Sequence, residues 1–238
     1  MTQQQDLNVR IFADGANLDA IAALAADPQI KGFTTNPTLM RQAGVSDYEV
    51  FAKEVLTIIG DRPVSLEVFS DDFAEMERQA RRLASWGPNV YVKIPVTNTD
   101  AQSSAALVKT LTSDGIQVNV TALLTLEQVT EVRAALEGGA PACVSVFAGR
   151  IADAGIDPLP IMKASLRELA TESQIELIWA SPREVFNVVQ AHEIGCHIIT
   201  VTPDILKKLP TLGKDLTRFS LETVKMFADD ARSAGYDL

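Results

Sequence analysis

Apolar residues come in eight short runs along the chain, at 9–13, 32–35, 64–68, 90–94, 116–120, 143–147, 175–180 and 196–201. Runs of that length, rich in Val and Ile and set off by Gly, Pro, Asn or Asp, predict buried strands. Between them the spacing turns helical. Thr125 followed by Gln128 forms a capping box that opens a helix with Leu126, Val129, Val132 and Leu136 on one side, and Gly138 and Gly139 close it. Ser70 is expected to cap another helix, with Asp71 and Asp72 in its first turn and Phe73, Met76, Ala80 and Leu83 facing inward.

Strand and helix in alternation imply parallel strands joined by right-handed crossovers. Eight such units predict an α/β fold, a closed (β/α)8 TIM barrel forming one domain over residues 1–238. The alternative is an open doubly wound sheet. That fold usually needs fewer strands and often opens on a glycine-rich turn, which Asp14-Gly15-Ala16-Asn17 is not. A short segment at 204–209, then Pro210 and Gly213, lead to a further amphipathic helix at 215–231. It carries Leu216, Phe219, Val224 and Phe227, a face expected to pack on its own barrel or on a neighbour. No linker, low-complexity tract or further repeat interrupts the pattern.

Composition narrows the partners. The 238 residues are 47% hydrophobic and 22% charged, enough for a sizeable core, and carry a net charge of −10. That charge argues against nucleic acid and anionic membranes as partners, yet leaves room for an anionic small substrate in a local positive pocket. Met1-Thr2-Gln3-Gln4-Gln5 lacks the basic-then-apolar order of a secretory signal, and no apolar run reaches membrane-spanning length. Cys143 and Cys196 sit in strand-like surroundings and read as reduced core residues, so a cytoplasmic protein is expected. His192 and His197 lack the spacing of a metal pair and read as structural; no metal or redox cofactor is expected.

The chemistry is written into the strands. Lys93 stands between Val92 and Ile94, where an ammonium group is costly and desolvation favours the neutral, nucleophilic amine. Polar residues recur where a plain core would carry Val or Ile: Asp14 after the first run, Asn36 after the second, Glu67 in the third. Asn119 and Thr121 belong to the fifth, and Ser145 to the sixth. Singly, each suits a turn, a cap or a satisfied core position; Asn36 before Pro37 is a good helix entry. Together at the carboxyl end of one barrel they form a candidate site. Arg150 and Arg183 follow the sixth and seventh runs. Ser181, Pro182 and Glu184 read as a capping box, and a helix N-terminus beside two guanidinium groups also suits a phosphate.

Thr34-Thr35-Asn36-Pro37, Val92-Lys93-Ile94-Pro95, Asn119-Val120-Thr121 and Ser145 to Arg150, with Ile151 and Asp153, resemble the transaldolase family in its short, single-barrel form. Asp14-Gly15-Ala16-Asn17 and Trp179 to Arg183 extend the resemblance over nearly the whole chain. It implies a Schiff base on Lys93, proton transfer by Asp14 as a carbon–carbon bond breaks or forms, and Glu67 working with Thr121 through a water during imine formation. Asn36, Asn119 and Ser145 match positions that hold the hydroxyls of a bound three-carbon unit, and Arg150, Ser181 and Arg183 match the phosphate end. The implied reaction transfers dihydroxyacetone from a ketose phosphate, such as fructose 6-phosphate or sedoheptulose 7-phosphate, to an aldose phosphate, as in the pentose phosphate pathway. The implied assembly is a homo-oligomer, a ring pentamer or decamer, with the last helix crossing to the adjacent subunit.

Similar barrels are fructose 6-phosphate aldolases, which release free dihydroxyacetone. In those the strand-three carboxylate tends to be an amide, and a tyrosine stands three residues before the strand-six arginine. Glu67 and Phe147 occupy those places here and favour the transferase. Gly15 departs from the family, which usually has threonine or serine after the strand-one acid. A third reading is a sugar-phosphate-binding barrel without catalysis, since barrels host many functions.

Overall fold

The structure, a computed structural model, describes residues 7–237. The residues whose composition argues against a secretory signal, 1–5, lie outside that range. Eight parallel strands follow one another around a closed barrel. They are β1 (Arg10–Asp14), β2 (Ile30–Thr34), β3 (Val64–Glu67), β4 (Val90–Pro95), β5 (Val118–Leu123), β6 (Ala142–Val146), β7 (Ile175–Trp179) and β8 (Ile198–Val201). β8 returns to β1, pairing Arg10 with Ile198 and Ala13 with Val201, so no strand edge stays open. This is the (β/α)8 barrel that the eight runs predict.

The crossovers are helical. α1 (Leu18–Ala25) follows β1; α2 (Pro37–Gln42) and α3 (Tyr48–Ile59) follow β2; α4 (Phe73–Ala84), α5 (Ala105–Ser113) and α6 (Leu126–Leu136) follow the next three strands. α7 (Ala148–Asp153) and α8 (Pro158–Leu169) follow β6, α9 (Phe186–Glu193) follows β7, and α10 (Pro203–Leu206) and α11 (Leu216–Ala234) close the chain. The Thr125–Gln128 capping box is present in full, and Asn36 caps α2 ahead of Pro37. The cap of α4 is corrected. Asp72, not Ser70, accepts from the Glu75 amide, because the Ser70 hydroxyl is taken by the Asp72 amide and Asp71 is held by Thr99.

Alternation along each strand sorts the side chains into two cores. Outward residues such as Ile11, Phe33, Val92, Val120, Leu177 and Trp179 pack under the helices. Inward residues Phe12, Cys143, Ile178, Ala180 and Ile198 form a second cluster, with Tyr91 and Phe147 half-buried against it. Gly32 makes that interior possible: a Cβ there would lie 2.6 Å from the Phe12 ring. The result is an apolar floor inside the barrel, and the polar residues of the same strands lie toward its carboxyl end. Both cysteines are buried and unbonded to each other, and burial raises both thiols above their ordinary range.

One departure from the predicted pattern lies in a strand that carries site residues. β5 carries a bulge between Val120 and Leu123, with Ala122 in the left-handed region at φ 67°. An alanine there is strained by about 1–3 kcal/mol, a distortion found mainly beside functional groups. The expected C-terminal helix is present as α11, capped by Asp215 and ended by a left-handed Gly235, with none of its residues buried. No helix among the described residues is long and apolar enough to cross a membrane.

Candidate active site

Strand register brings the central pair together. β3 and β4 pair Glu67 with Lys93, and β4 and β5 pair Lys93 with Asn119. Lys93 is 7% exposed. Its Nζ lies 2.9 Å from Glu67 Oε2 and donates to the Thr35 carbonyl at 2.8 Å. Reading Lys93 from Val92 and Ile94 alone omits this carboxylate, which stands directly opposite it. The amine is therefore ion-paired in the free protein. A base able to take its proton is already within hydrogen-bond reach. Tyr48, on α3, donates to the Glu67 carbonyl at 3.0 Å and steadies that end of β3.

Asp14 lies across the mouth from this pair. Its Oδ1 accepts from Thr34 Oγ1 at 2.7 Å. Burial pushes the Asp14 carboxyl above its ordinary value; the Lys93 charge and the Thr34 bond oppose that shift, and the Glu67 charge adds to it. A carboxyl so placed is suited to exchange a proton rather than to stay ionised throughout.

A third group is a chain of neutral polar side chains. Ser145 Oγ donates to Asn119 Oδ1 at 2.8 Å, and Asn119 Nδ2 donates to Ser65 Oγ at 3.0 Å, all three buried. Thr121, next to the left-handed Ala122, is buried with its hydroxyl unpartnered. A buried hydroxyl without a partner is costly, and a water or substrate oxygen would satisfy it. Asn36 Oδ1 accepts from the Leu39 amide at 2.9 Å, which leaves its amide NH2 to donate.

The predicted phosphate end is rearranged. Ser181 does not cap a helix: it is left-handed at φ 59°, and α9 begins only at Phe186. Asn187 Oδ1 instead accepts from the amides of Arg183 and Glu184. The cause is a close approach, since a Cβ at Gly149 would meet the Ser181 carbonyl oxygen at 1.6 Å. Arg183 is engaged by Asp153, its Nε at 3.0 and 3.1 Å from the two carboxylate oxygens and its Nη2 at 2.5 Å from Oδ2. Its Nη1 donates to Ser181 Oγ at 2.9 Å. Arg150 is exposed, its guanidinium 5.9 Å from the centre of the Phe147 ring.

The sequence matches the family described as Transaldolase/Fructose-6-phosphate aldolase over residues 11–238. The chain belongs to this family. A probable transaldolase of Thermoanaerobacter sp. is 36% identical over 228 residues, covering 95% of this chain and 99% of that protein. A probable transaldolase of Dehalococcoides mccartyi is 34% identical over 217 residues, covering 89% and 96%. Among solved structures, a putative lyase/mutase from Burkholderia cenocepacia superposes with a TM-score of 0.60 at 13% identity, covering 97% of this chain and 85% of that one. A 2,3-dimethylmalate lyase gives 0.55 at 14%, covering 98% and 86%. At such identities these two share the barrel only.

For a member of the transaldolase/fructose-6-phosphate aldolase family, the structure gathers Lys93, Glu67, Asp14, Asn119, Thr121 and Ser145 inside the barrel toward its carboxyl end, with Asn36 just beyond β2. Arg150, Ser181 and Arg183 come from the segments after β6 and β7. Ser65, Thr34, Thr200 and Tyr48 are additional. Ser65 and Thr34 share the inward parity of Glu67 and of Gly32, and that parity was the available signal. Thr200 has the parity of Ile198 on β8. Tyr48 comes from a helix and carries no such signal. Gly15 leaves open space, since a Cβ there meets nothing within 4 Å, and its amide donates to the Thr34 carbonyl at 3.0 Å.

Proposed function

We propose that this enzyme is a transaldolase that carries dihydroxyacetone from a ketose phosphate to an aldose phosphate as a Schiff base on Lys93. The observation that carries the reading is the Lys93–Glu67 pair at 2.9 Å, with Asp14 and the unpartnered Thr121 hydroxyl at the same end of the barrel. In this reading Glu67 takes a proton from Lys93, whose Nζ then attacks the C2 carbonyl of the ketose. The carbinolamine loses water through Glu67 and the Thr121 hydroxyl, giving the imine. Asp14 accepts the proton of the C4 hydroxyl as the C3–C4 bond breaks; the electron pair of that bond forms the C2–C3 double bond, and the C=N π pair moves onto nitrogen. The aldose phosphate departs and the three-carbon enamine stays on Lys93. With a new aldehyde the bond forms in reverse and Asp14 returns the proton to its oxygen. Asn36, Asn119 and Ser145 hold the hydroxyls of the three-carbon unit.

The phosphate is assigned to Arg150 and Arg183 with Ser181, the exposed Arg150 meeting it first and Arg183 sharing itself between phosphate and Asp153. Arg183→Ala is expected to raise KM for phosphorylated sugars about tenfold or more, as suits a lost charge-assisted bond, and to leave unphosphorylated analogues unaffected. Equal losses on both would refute the contact. We assign the apolar face of α11, including Leu216, Val224 and Phe227, to a second copy in a homo-oligomer, because Phe227 is 62% exposed and no element among the described residues covers it. Light scattering would show a mass several times that of one chain.

Glu67 and Phe147 support transfer over release. The test is product formation from fructose 6-phosphate: glyceraldehyde 3-phosphate in quantity only when an acceptor aldose phosphate is added. Steady release without acceptor would make the enzyme an aldolase. Tight binding of the sugar with no turnover in either condition would make it a binding barrel.

A further inference from the structure

One buried hydroxyl in the polar layer has no part in the reaction as proposed. Thr200, on β8, is 6% exposed, and its Oγ1 is in hydrogen-bond contact with Thr34 Oγ1. Thr34 is the β2 register partner of Asp14, while Thr200 is the β8 register partner of Phe12. The two hydroxyls therefore reach each other across β1 and lead from the apolar floor up to Asp14 Oδ1. A threonine hydroxyl has a single proton. Thr34 gives its proton to Asp14, so its contact with Thr200 is satisfied only when Thr200 is the donor.

We infer that Thr200 is a positioning residue for Asp14, acting through Thr34 as a two-hydroxyl relay. The relay fixes Oδ1 as an acceptor and leaves Oδ2 as the oxygen that meets the substrate hydroxyl. Donation by Thr200 polarises the Thr34 hydroxyl and strengthens its bond to the carboxylate, as chained hydrogen bonds do in a low-dielectric site. Phe12 and Ile198, the inward residues beneath, are apolar, so the floor offers Thr34 no other donor. The charged groups facing Asp14 are Glu67 on β3 and Lys93 on β4, and both remain when Thr200 is changed. The inference rests on the transaldolase reading, in which Asp14 must be a carboxylate to accept the substrate proton.

The test is the pH profile of kcat/KM in Thr200→Val, which keeps the shape and removes the hydroxyl. With a weaker donor on Oδ1, the carboxylate is less stabilised and the acid limb moves to higher pH, by about half a unit. kcat at neutral pH falls about three- to tenfold, in line with a lost hydrogen bond. Borohydride trapping on Lys93 proceeds as in the wild type, because Glu67 and Thr121 are untouched. Thr200→Ser restores the wild-type limb, and Thr200→Ala reproduces the shift without added bulk if the valine folds poorly. A limb that does not move in either hydroxyl-free variant, with kcat within twofold of wild type, overturns the relay. Absence of a trapped imine in the wild type would instead overturn the reaction itself.

Discussion

The barrel holds an ion pair at each end, and the two differ in almost everything except their chemistry. At the carboxyl end Lys93 and Glu67 are joined across adjacent strands, with side chains 8% and 17% exposed. At the opposite end Arg10 and Glu176 pair across the barrel's lower rim, with side chains 41% and 34% exposed. The lower pair stays in contact with water and contributes little, as solvent-accessible ion pairs do. The upper pair has given up its water, and it is held only because Thr35 and Tyr48 satisfy the groups around it. A barrel built for stability alone would fill those two positions with Val or Leu. The pair that costs the fold more is the one that holds the proposed nucleophile.

The comparison breaks most sharply by removing each cation. Lys93→Met is expected to abolish turnover while the barrel stays folded by circular dichroism, and Arg10→Met to leave turnover within about twofold, the range of surface substitutions away from a site. Removing each carboxylate comes next. Glu67→Gln should slow turnover by about a hundredfold, the scale of a lost proton-transfer group, with a smaller change in KM; Glu176→Gln should do neither. Unchanged turnover in Glu67→Gln would count against its role.

Stability sharpens the contrast. A double-mutant cycle on Lys93 and Glu67 should give a coupling of about 3 kcal/mol, and one on Arg10 and Glu176 below about 1 kcal/mol. Equal couplings would mean that burial does not separate the two pairs. The smallest effect is a pH dependence at the lower end. His197 accepts the Leu177 amide at Nδ1 at 2.9 Å, and burial holds its pKa below the ordinary histidine value. The unfolded chain therefore binds this proton more readily than the folded one, and stability falls as pH drops below about 6.5. Urea titrations at pH 7 and 5.5 should show a loss that is reduced in His197→Gln.

Much of this was legible in the chain. Eight apolar runs announced eight strands because buried parallel strands must be apolar on both faces, and that same rule made Lys93, Glu67, Asn119 and Ser145 conspicuous. Ser65 and Thr200 carry no signal of their own, and Thr34 only that of the motif it opens, because a short hydroxyl side chain is also an ordinary strand former, and only the barrel's interior parity distinguishes the two uses. The bulge at Ala122 had no signal, since alanine gives no hint of a left-handed backbone. Ser181 looked like a cap because Ser-Pro-x-Glu satisfies the local rule; the carbonyl's approach to Gly149, thirty-odd residues away in sequence, overrides it. The ion pair of Arg183 has no signal in the sequence, because its partner, Asp153, ends α7 after a different strand. α11 showed its apolar positions plainly, but not that its own barrel leaves them bare.

The central claim is a covalent imine on Lys93, and borohydride reduction in the presence of fructose 6-phosphate, followed by intact mass and peptide mapping, tests it most directly. The account predicts one reduced three-carbon adduct per chain, on the peptide carrying Lys93, and none in Lys93→Met. A folded wild-type protein that binds the sugar yet yields no adduct, or one modified on another lysine, would contradict it.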